Sequence, residues 1–201
     1  MRRHRYAGFS MIEVAITLSV LGLLLALGLP GFQTWLMNSQ IRNAAESISA
    51  GVQRARNEAV RRNQNVRFTL VSLNDPKTMD NSCAASSAAG SWVISLDDPA
   101  AGCAAAPSDT AAPRIVEKRA AGDGGLSAAI AAVAADNATA ASTVTFNGFG
   151  RTVDADPLAR VDVTSTAGGN YRTLRVLVST GGAVRMCDPD VVDNADPRKC
   201  P

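Results

Sequence analysis

One carboxylate stands alone at the head of a long apolar stretch. Glu13 follows the segment "GFSMI", and no charged side chain occurs from Val14 to Ile41. An isolated carboxylate in an apolar environment is costly, so such a group either becomes neutral or finds a cationic partner. We therefore expect the chemistry of Glu13 to be the formation of an ion pair.

Other residue types that serve catalysis or metal binding are sparse. The single histidine, His4, lies within the first ten residues, which argues against a site built on imidazole. The run Asp188–Asp196 ("DPDVVDNAD") offers the carboxylate oxygens that calcium prefers, although a solvated loop is the commoner role of such a run. We expect no enzyme activity, no cofactor and no metal site.

The four cysteines are Cys83, Cys103, Cys187 and Cys200. They form no C-x-x-C pair, which disfavours a zinc or thioredoxin-type site. An even number beside a membrane-targeting N-terminus favours disulfides formed in an oxidising compartment. Proximity predicts the pairs Cys83–Cys103 and Cys187–Cys200, but the sequence alone also allows two other pairings.

The elements around Glu13 are those of a membrane anchor. Arg2, Arg3 and Arg5 precede the apolar stretch without any acid, which is typical of a segment that stays in the cytoplasm. Phe9–Leu29 supplies close to the roughly 20 apolar residues that span a bilayer. A secretory signal peptide would have a shorter apolar core that ends in a small-residue cleavage site. An ordinary anchor would explain the length but not Glu13.

Together these features resemble the class III signal of type IV pilins and pseudopilins: a basic leader ending in Gly8, then Phe9, then Glu13 and the apolar stretch. The resemblance implies that a prepilin peptidase cleaves between Gly8 and Phe9 and then N-methylates Phe9. In a bundle of staggered helices, Glu13 would pair with the amine of a neighbouring subunit and set the register, as buried polar groups do in coiled coils. Pro30 and Gly31 predict a kink or a melted turn.

Beyond this break the periodicity predicts an amphipathic helix and then a β-rich domain. Apolar residues recur at helical spacing from Ile41 to Ala59, and polar turn residues at 63–65 end the helix. A period of two then predicts strands. The strand segments are Val66–Leu73, Ser91–Leu96, Arg114–Arg119, Ser142–Val153 (two strands around an Asn-Gly turn), Ala159–Ser165, Tyr171–Thr180 and Ala183–Cys187.

Three Ala-rich stretches, Ala84–Gly90, Ala100–Ala112 and Ala120–Ala141, are predicted to be surface loops. Within the last of them, propensity alone would allow a short helix over Ser127–Ala135. Five arginines near the end of the helix form a basic cluster: Arg54, Arg56, Arg61, Arg62 and Arg67. DNA or an acidic partner could use this cluster, but a solvated helix end is the commoner explanation.

The segment Ala55–Val66 and the segment "FNGFGR" (146–151) are similar to the GspH/FimT branch of minor pilins and pseudopilins. The similarity implies an α+β, type IV pilin-like fold in which a long N-terminal α-helix packs against an antiparallel β-rich globular domain. The expected segments are a cleaved leader (1–8), an apolar transmembrane or filament-core helix (9–37), an amphipathic helix half (38–65) and a periplasmic, disulfide-bonded domain (66–201).

The resemblance implies a minor pilin of a type IV pilus, a structural subunit that helps prime assembly at or near the tip. Its partners would be other minor and major pilins, the prepilin peptidase and the inner membrane. It would cross that membrane once, with its domain in the periplasm, and enter the pilus on assembly. A minor pseudopilin of a type II secretion system is an alternative, because leader, helix and fold class are shared.

A second alternative is a DNA-binding minor pilin for natural transformation. Some members of the branch bind DNA through a "GRxR" motif, and the matching segment here is Gly182–Arg185, in which Ala183 replaces the first arginine. Arg172, Arg175 and Arg151 would add positive charge for phosphate contacts. The neighbouring run Asp188–Asp196 would repel phosphate.

Overall fold

The computed structural model describes residues 9–167 and 169–201, except for the side chains of residues 27–30. The predicted leader, with Gly8, lies outside the described residues. The chain divides into two compact units, Met1–Leu36 and Met37–Pro201.

In the described residues, one long helix precedes a series of short strands. The elements are α1 (Met11–Arg62), β1 (Val66–Ser72), β2 (Ala84–Ala85), β3 (Ser91–Ser95), β4 (Ile115–Arg119), β5 (Ala128–Val133), β6 (Thr143–Phe146), β7 (Arg160–Ser165), β8 (Leu174–Val178) and β9 (Val184–Cys187). Each of the predicted strand segments contains one of these strands. The second half of Ser142–Val153 forms only the bridge Phe146↔Thr152.

The strands form two antiparallel sheets. The first has the order β2-β1-β3-β4, with β6 also paired to β1, and the second has the order β5-β7-β8-β9. The α+β architecture predicted from the sequence, a long helix followed by antiparallel β structure, is confirmed.

The predicted face of the helix is the face that is buried. Ile41, Ile48 and Val52 are almost inaccessible to solvent, as are Ala45, Ala55 and Ala59, and they join one core with residues of both sheets. At Gly51 an added Cβ would lie 2.7 Å from the Phe68 ring. The small residues on this face therefore let the sheet approach the helix closely, and the Trp92 indole N–H reaches the Ser47 hydroxyl at 3.0 Å.

A second, smaller core lies around Val71, Val93 and Ile115 together with Cys83 and Cys103. Both predicted disulfides, Cys83–Cys103 and Cys187–Cys200, are present. The loop closed by the Cys83–Cys103 disulfide contains β3, which is buried along its whole length. Both cysteines are themselves part of the second core, so this loop covers it.

We expect removal of the Cys83–Cys103 disulfide, as Cys83→Ala with Cys103→Ala, to lower the free energy of unfolding by about 2–3 kcal/mol. The second core would lose its cover as well as the cross-link. Denaturant unfolding of a fragment that begins at Met37, which contains both cores, would measure the effect.

The matched control is Cys187→Ala with Cys200→Ala. It opens a shorter loop, because these two cysteines are 13 residues apart in sequence, whereas Cys83 and Cys103 are 20 apart. Neither cysteine of this pair belongs to the second core, so we expect a smaller loss in the free energy of unfolding. An equal or larger loss from the control would contradict the role given to the first disulfide.

The Ala-rich middle of the domain differs from the sequence-based prediction. Ser127–Ala135 contains strand β5 rather than a short helix, and Ala84–Ala85 pairs with the end of β1. Ile130 and Ala132 of β5 are buried, while Ala131 between them is exposed. Full-length pairing with β7 supplies the backbone hydrogen bonds, so tertiary contacts override the helix propensity of alanine.

Part of the predicted basic cluster forms an ion-pair network at the end of α1. Glu58 accepts from Arg61 at 2.6 Å and from Arg62 at 2.9 Å, and Arg62 also reaches Asp109 at 2.5 Å. Hydrogen bonds from Arg61 and then Arg62 lower the pKa of Glu58 below its ordinary value of 4.5, although partial burial acts in the opposite direction.

A carboxylate with a lowered folded-state pKa stabilises the fold above its ordinary pKa of 4.5, and this contribution is lost as the pH falls through the lowered value. We expect Glu58→Gln to cost about 1 kcal/mol near neutral pH and to flatten the decline in stability below pH 4.5. Unfolding midpoints measured between neutral and acidic pH would test this. Glu46→Gln is the control, since Glu46 and Arg42 are both more than half exposed, and an identical pH profile for both variants would contradict the prediction.

Candidate functional site

The first turn of α1 places Glu13 on an ordered helix end. The Ser10 hydroxyl accepts a hydrogen bond from the Glu13 amide at 3.2 Å, and the Ser10 carbonyl accepts from Val14. Ser10 is therefore the N-cap of the helix. Phe9 precedes the cap and is 83% exposed. Within the described part of the chain, no group pairs with the Glu13 carboxylate, so this charge remains available to another molecule.

The apolar segment that follows presents its side chains outward. Helix α1 contains an 18-residue window that is apolar enough to cross a membrane, and no residue of this window is buried. The Thr17 and Ser19 hydroxyls donate to carbonyls of the preceding turn, Val14 and Ala15. Because these polar groups are satisfied within the helix, the segment suits a lipid environment or a bundle of apolar helices.

At Pro30 and Gly31 the structure bears on the predicted melted turn, while the predicted kink stays a prediction. Helix α1 runs through both positions without interruption, so the melted turn is absent. A proline removes one intrahelical hydrogen bond, but continuing the helix keeps the surrounding backbone groups satisfied, which matters most in an apolar environment. A break at this point in an assembled state stays a prediction.

Three of the four arginines predicted to contact DNA have a partner within the domain, whereas the exposed Arg151 side chain has none among the described residues. Arg175 donates to Asp162 at 2.6 and 3.2 Å in a bidentate pair across β7 and β8. Arg172 donates to the buried Asp188 at 3.0 Å. Arg185 donates to the carbonyls of Pro197 and Lys199. The structure therefore uses these cations to join strands and to hold the C-terminal segment.

The C-terminal segment is a closed loop after β9. The Cys187–Cys200 disulfide joins its ends, and the Asp188 amide donates to the Arg198 carbonyl at 2.7 Å. Arg198 pairs with Asp196 at 2.6 Å, and its hydrogen bonds lower the pKa of that carboxyl to about 2. The described residues contain no group of three or more His, Cys, Asp or Glu side chains placed to share a metal ion. The Cys187–Cys200 disulfide and the Asp188 amide hold the acidic run as a cross-linked loop.

A site that the sequence-based analysis missed lies between α1 and the β8–β9 turn. A groove of about 320 Å³ is lined by Gln53, Arg56, Asn57 and residues Gly182–Val184. Arg56 Nε donates to the Gly150 carbonyl at 3.1 Å, which joins the "FNGFGR" loop to the helix. Arg56 stood out in the sequence only as one of several basic residues, because its contact at Gly150 depends on tertiary structure.

Comparison with known proteins adds independent information. Residues 44–182 match the family model described as type II transport protein GspH, and residues 3–29 match the prokaryotic N-terminal methylation motif. The second match includes Gly8, Phe9 and Glu13. No curated protein sequence matches the chain significantly.

Two crystal structures of the type IV minor pilin FimU from Pseudomonas aeruginosa are similar to this chain. One shows 15% sequence identity with a TM-score of 0.46 and covers 76% of this chain and 97% of FimU. The other shows 19% identity with a TM-score of 0.45 and covers 77% and 92%, respectively.

The family assignment depends on the two sequence models rather than on these structures. The GspH model matches well over half of the chain, and the methylation motif covers the segment that carries Glu13. The chain therefore belongs to the GspH family of type IV minor pilins and pseudopilins.

Proposed function

We propose that this protein is a minor pilin of a type IV pilus, placed at or near the tip, where it helps to prime assembly. The observation that carries the proposal is the exposed apolar segment of α1 with the lone Glu13 in its first turn. Such a segment requires a membrane before assembly and a helix bundle after it. In the bundle, Glu13 would neutralise the N-terminal amine of a neighbouring subunit.

Several consequences follow from family membership. Pilins and pseudopilins are structural subunits rather than enzymes, and the methylation motif implies processing by a prepilin peptidase and assembly with other pilin-family subunits. The apolar helix and this motif are consistent with anchoring in a membrane. We place the anchor in the inner membrane, with residues 66–201 in the periplasm, where an oxidising environment suits the two disulfides.

The test is a deletion strain examined for surface pili and twitching motility, with and without the restored gene. Loss of both properties, with recovery on complementation, is the expected result. Unchanged pili and motility would contradict the pilus proposal.

A second candidate is a minor pseudopilin of a type II secretion system, favoured by the description of the matching family as a type II transport protein. In this case the deletion strain would keep its pili and lose secretion of exoproteins. Secretion assays on the same strain therefore separate the two candidates.

DNA binding for natural transformation has less support. The side chains of Arg172, Arg175 and Arg185 are engaged within the domain, and binding to phosphate would have to compete with these contacts. A salt-sensitive gel shift with the domain would support this function, and its absence would oppose it.

A further inference from the structure

Strand β9 is an edge of the second sheet. In the order β5-β7-β8-β9, β8 is its one neighbour among the strands of the described residues. A strand at an edge carries a row of backbone N–H and C=O groups that its neighbour does not use. The hydrogen bonds of the sheet show which residues of β9 carry these outward groups.

The outward groups of β9 belong to Val184 and Met186. The Val178 amide donates to the Ala159 carbonyl at 2.8 Å, on the side of β7, so the backbone of Val178 faces away from β9. Val178 lies opposite Val184 in the register of β8 and β9. Directions alternate along an antiparallel strand, so Met186 has the same orientation as Val184. In the described part of the chain, no hydrogen bond reaches the outward groups of these two residues.

The chain itself adds a short segment to the same edge. Asp188 continues the alternation: its amide donates to the Arg198 carbonyl at 2.7 Å, and it forms a parallel bridge with Lys199. The pairing ends there, because the Arg198 amide donates to the Asp196 side chain at 2.9 Å and not to β9. The edge is thus already used for strand addition, and its first half is left for another segment.

Strand β9 runs along helix α1 in the opposite direction. An added Cβ at Gly182 would lie 2.8 Å from Arg56 Nε, whereas Met186 lines a pocket together with Arg42, one end of the domain's helical segment from Arg56. The groove of about 320 Å³ takes its lining from α1 and from residues 182–184, so it lies between the helix and the beginning of β9. A segment that pairs with β9 would therefore have α1 beside it.

The helix side of the groove offers hydrogen-bond donors. Asn57 is exposed, and its side chain has no partner among the described residues. Arg56 uses Nε for the Gly150 carbonyl at 3.1 Å, and it is the one charged residue among those that line the groove. The neighbouring acid, Glu58, is paired with two arginines at the end of the helix. These donors suit a carboxylate on a bound segment.

We propose that the groove between β9 and α1 binds an extended segment of a different polypeptide. The segment adds a strand to β9 and places an acidic side chain against Arg56 and Asn57. In this mode of recognition, backbone hydrogen bonds supply affinity and alternate side chains supply specificity. The site goes beyond the proposed function, since a pilus subunit and a secretion subunit would present the same edge.

A second copy of this chain fits the edge poorly. Parallel pairing of two β9 edges would bring both C-terminal loops to the same place, because Arg198 and Lys199 already lie on the edge at Asp188. Antiparallel pairing would turn the two α1 helices in opposite directions, whereas copies inserted in one membrane with the same topology present α1 in the same direction. These conflicts favour a different chain as the partner.

The test uses the full chain in detergent micelles and a fluorescent synthetic peptide that is rich in threonine and has one central glutamate. Threonine favours the extended conformation. Fluorescence anisotropy, with empty micelles as the baseline, should show saturable binding about ten times tighter, or more, than that of the same peptide methylated on every backbone nitrogen. Equal binding of the two peptides, or no saturable binding at millimolar concentration, would overturn the proposal.

Variants of the groove provide a second measurement. Val184→Pro removes an N–H group that β8 does not use, in a position where an edge strand tolerates proline. Asn57→Asp adds a charge of the same sign as the peptide glutamate. We expect each variant to weaken binding about tenfold. If Val184→Pro fails to fold, the methylated peptide still tests the same backbone contact.

The matched control is Asn43→Asp, which makes the same charge change on the same helix outside the groove. It should bind the peptide normally. Unchanged binding by a folded groove variant, or an equal loss in Asn43→Asp, would contradict the proposed site.

Light scattering of the chain without peptide tests the other occupant. A monomer is expected, and a dimer that Val184→Pro dissociates would show that a second copy takes the edge, against the proposal. Loss of pili in the deletion strain without peptide binding would refute this site alone, whereas peptide binding with unchanged pili would refute the pilus function alone.

Discussion

Replacing Glu13 by alanine is expected to leave the leader cleaved and the mature chain in the membrane, while incorporation into filaments falls by about 100-fold or more. In the proposed bundle the substitution leaves the amine of a neighbouring subunit without its counter-charge. Removing one partner of a buried ion pair costs about 3–5 kcal/mol. Comparing the amounts of the mature chain in sheared filaments and in membranes would measure the effect.

The matched control is Ser10→Ala, which changes the same helix end and keeps the carboxylate. It removes the hydrogen bond from the Glu13 amide to the Ser10 hydroxyl, a loss of about 1 kcal/mol for a typical N-cap. If the charge of Glu13 determines incorporation, Ser10→Ala should assemble at close to the normal level. Equal defects would instead show that the order of the helix end is what matters, and normal assembly of Glu13→Ala would remove the proposed ion pair.

The features that were predictable from sequence depend on local periodicity. The buried face from Ile41 to Ala59 follows the 3.6-residue repeat, and β1 and β3 follow the two-residue repeat. Helix α1 ends at Arg62, close to the predicted turn, with Asn63 in the left-handed conformation. Each disulfide joins two cysteines with no other cysteine between them in the chain, so proximity in sequence was sufficient to predict both pairs.

The features that were not predictable depend on strand register and on contacts between distant segments. β5 is a strand because β7 pairs with it along its full length, and alanine composition alone favours the opposite conclusion. The sequence alone predicted that Arg175 could contact phosphate, but the register of β7 and β8 places it opposite Asp162. The Gly182–Arg185 segment looked like a binding motif, but its glycine has a packing role that depends on Gly150.

Gly182 is the residue of this segment at which a substitution should destabilise the domain most. Its φ is +79°, in the left-handed region, and an added Cβ would overlap the Gly150 carbonyl oxygen and lie 2.8 Å from Arg56 Nε. The first obstacle is backbone, which cannot move aside as a flexible side chain could. The second obstacle is the side chain of Arg56, which holds the "FNGFGR" loop (146–151) through the Gly150 carbonyl. Glycine is therefore required here both for conformation and for close approach.

We expect Gly182→Ala to lower the free energy of unfolding by about 4 kcal/mol, of which about 1–2 kcal/mol is the strain of the left-handed conformation. Denaturant unfolding of the fragment from Met37 would measure it. The adjacent Gly181 is the matched control, because its nearest neighbour to an added Cβ is the Ser179 hydroxyl at 3.8 Å. Gly181→Ala should be neutral or slightly stabilising, since alanine reduces the freedom of the unfolded chain. Similar losses at both glycines would show that the turn between β8 and β9, rather than its contact with Gly150 and Arg56, determines the effect.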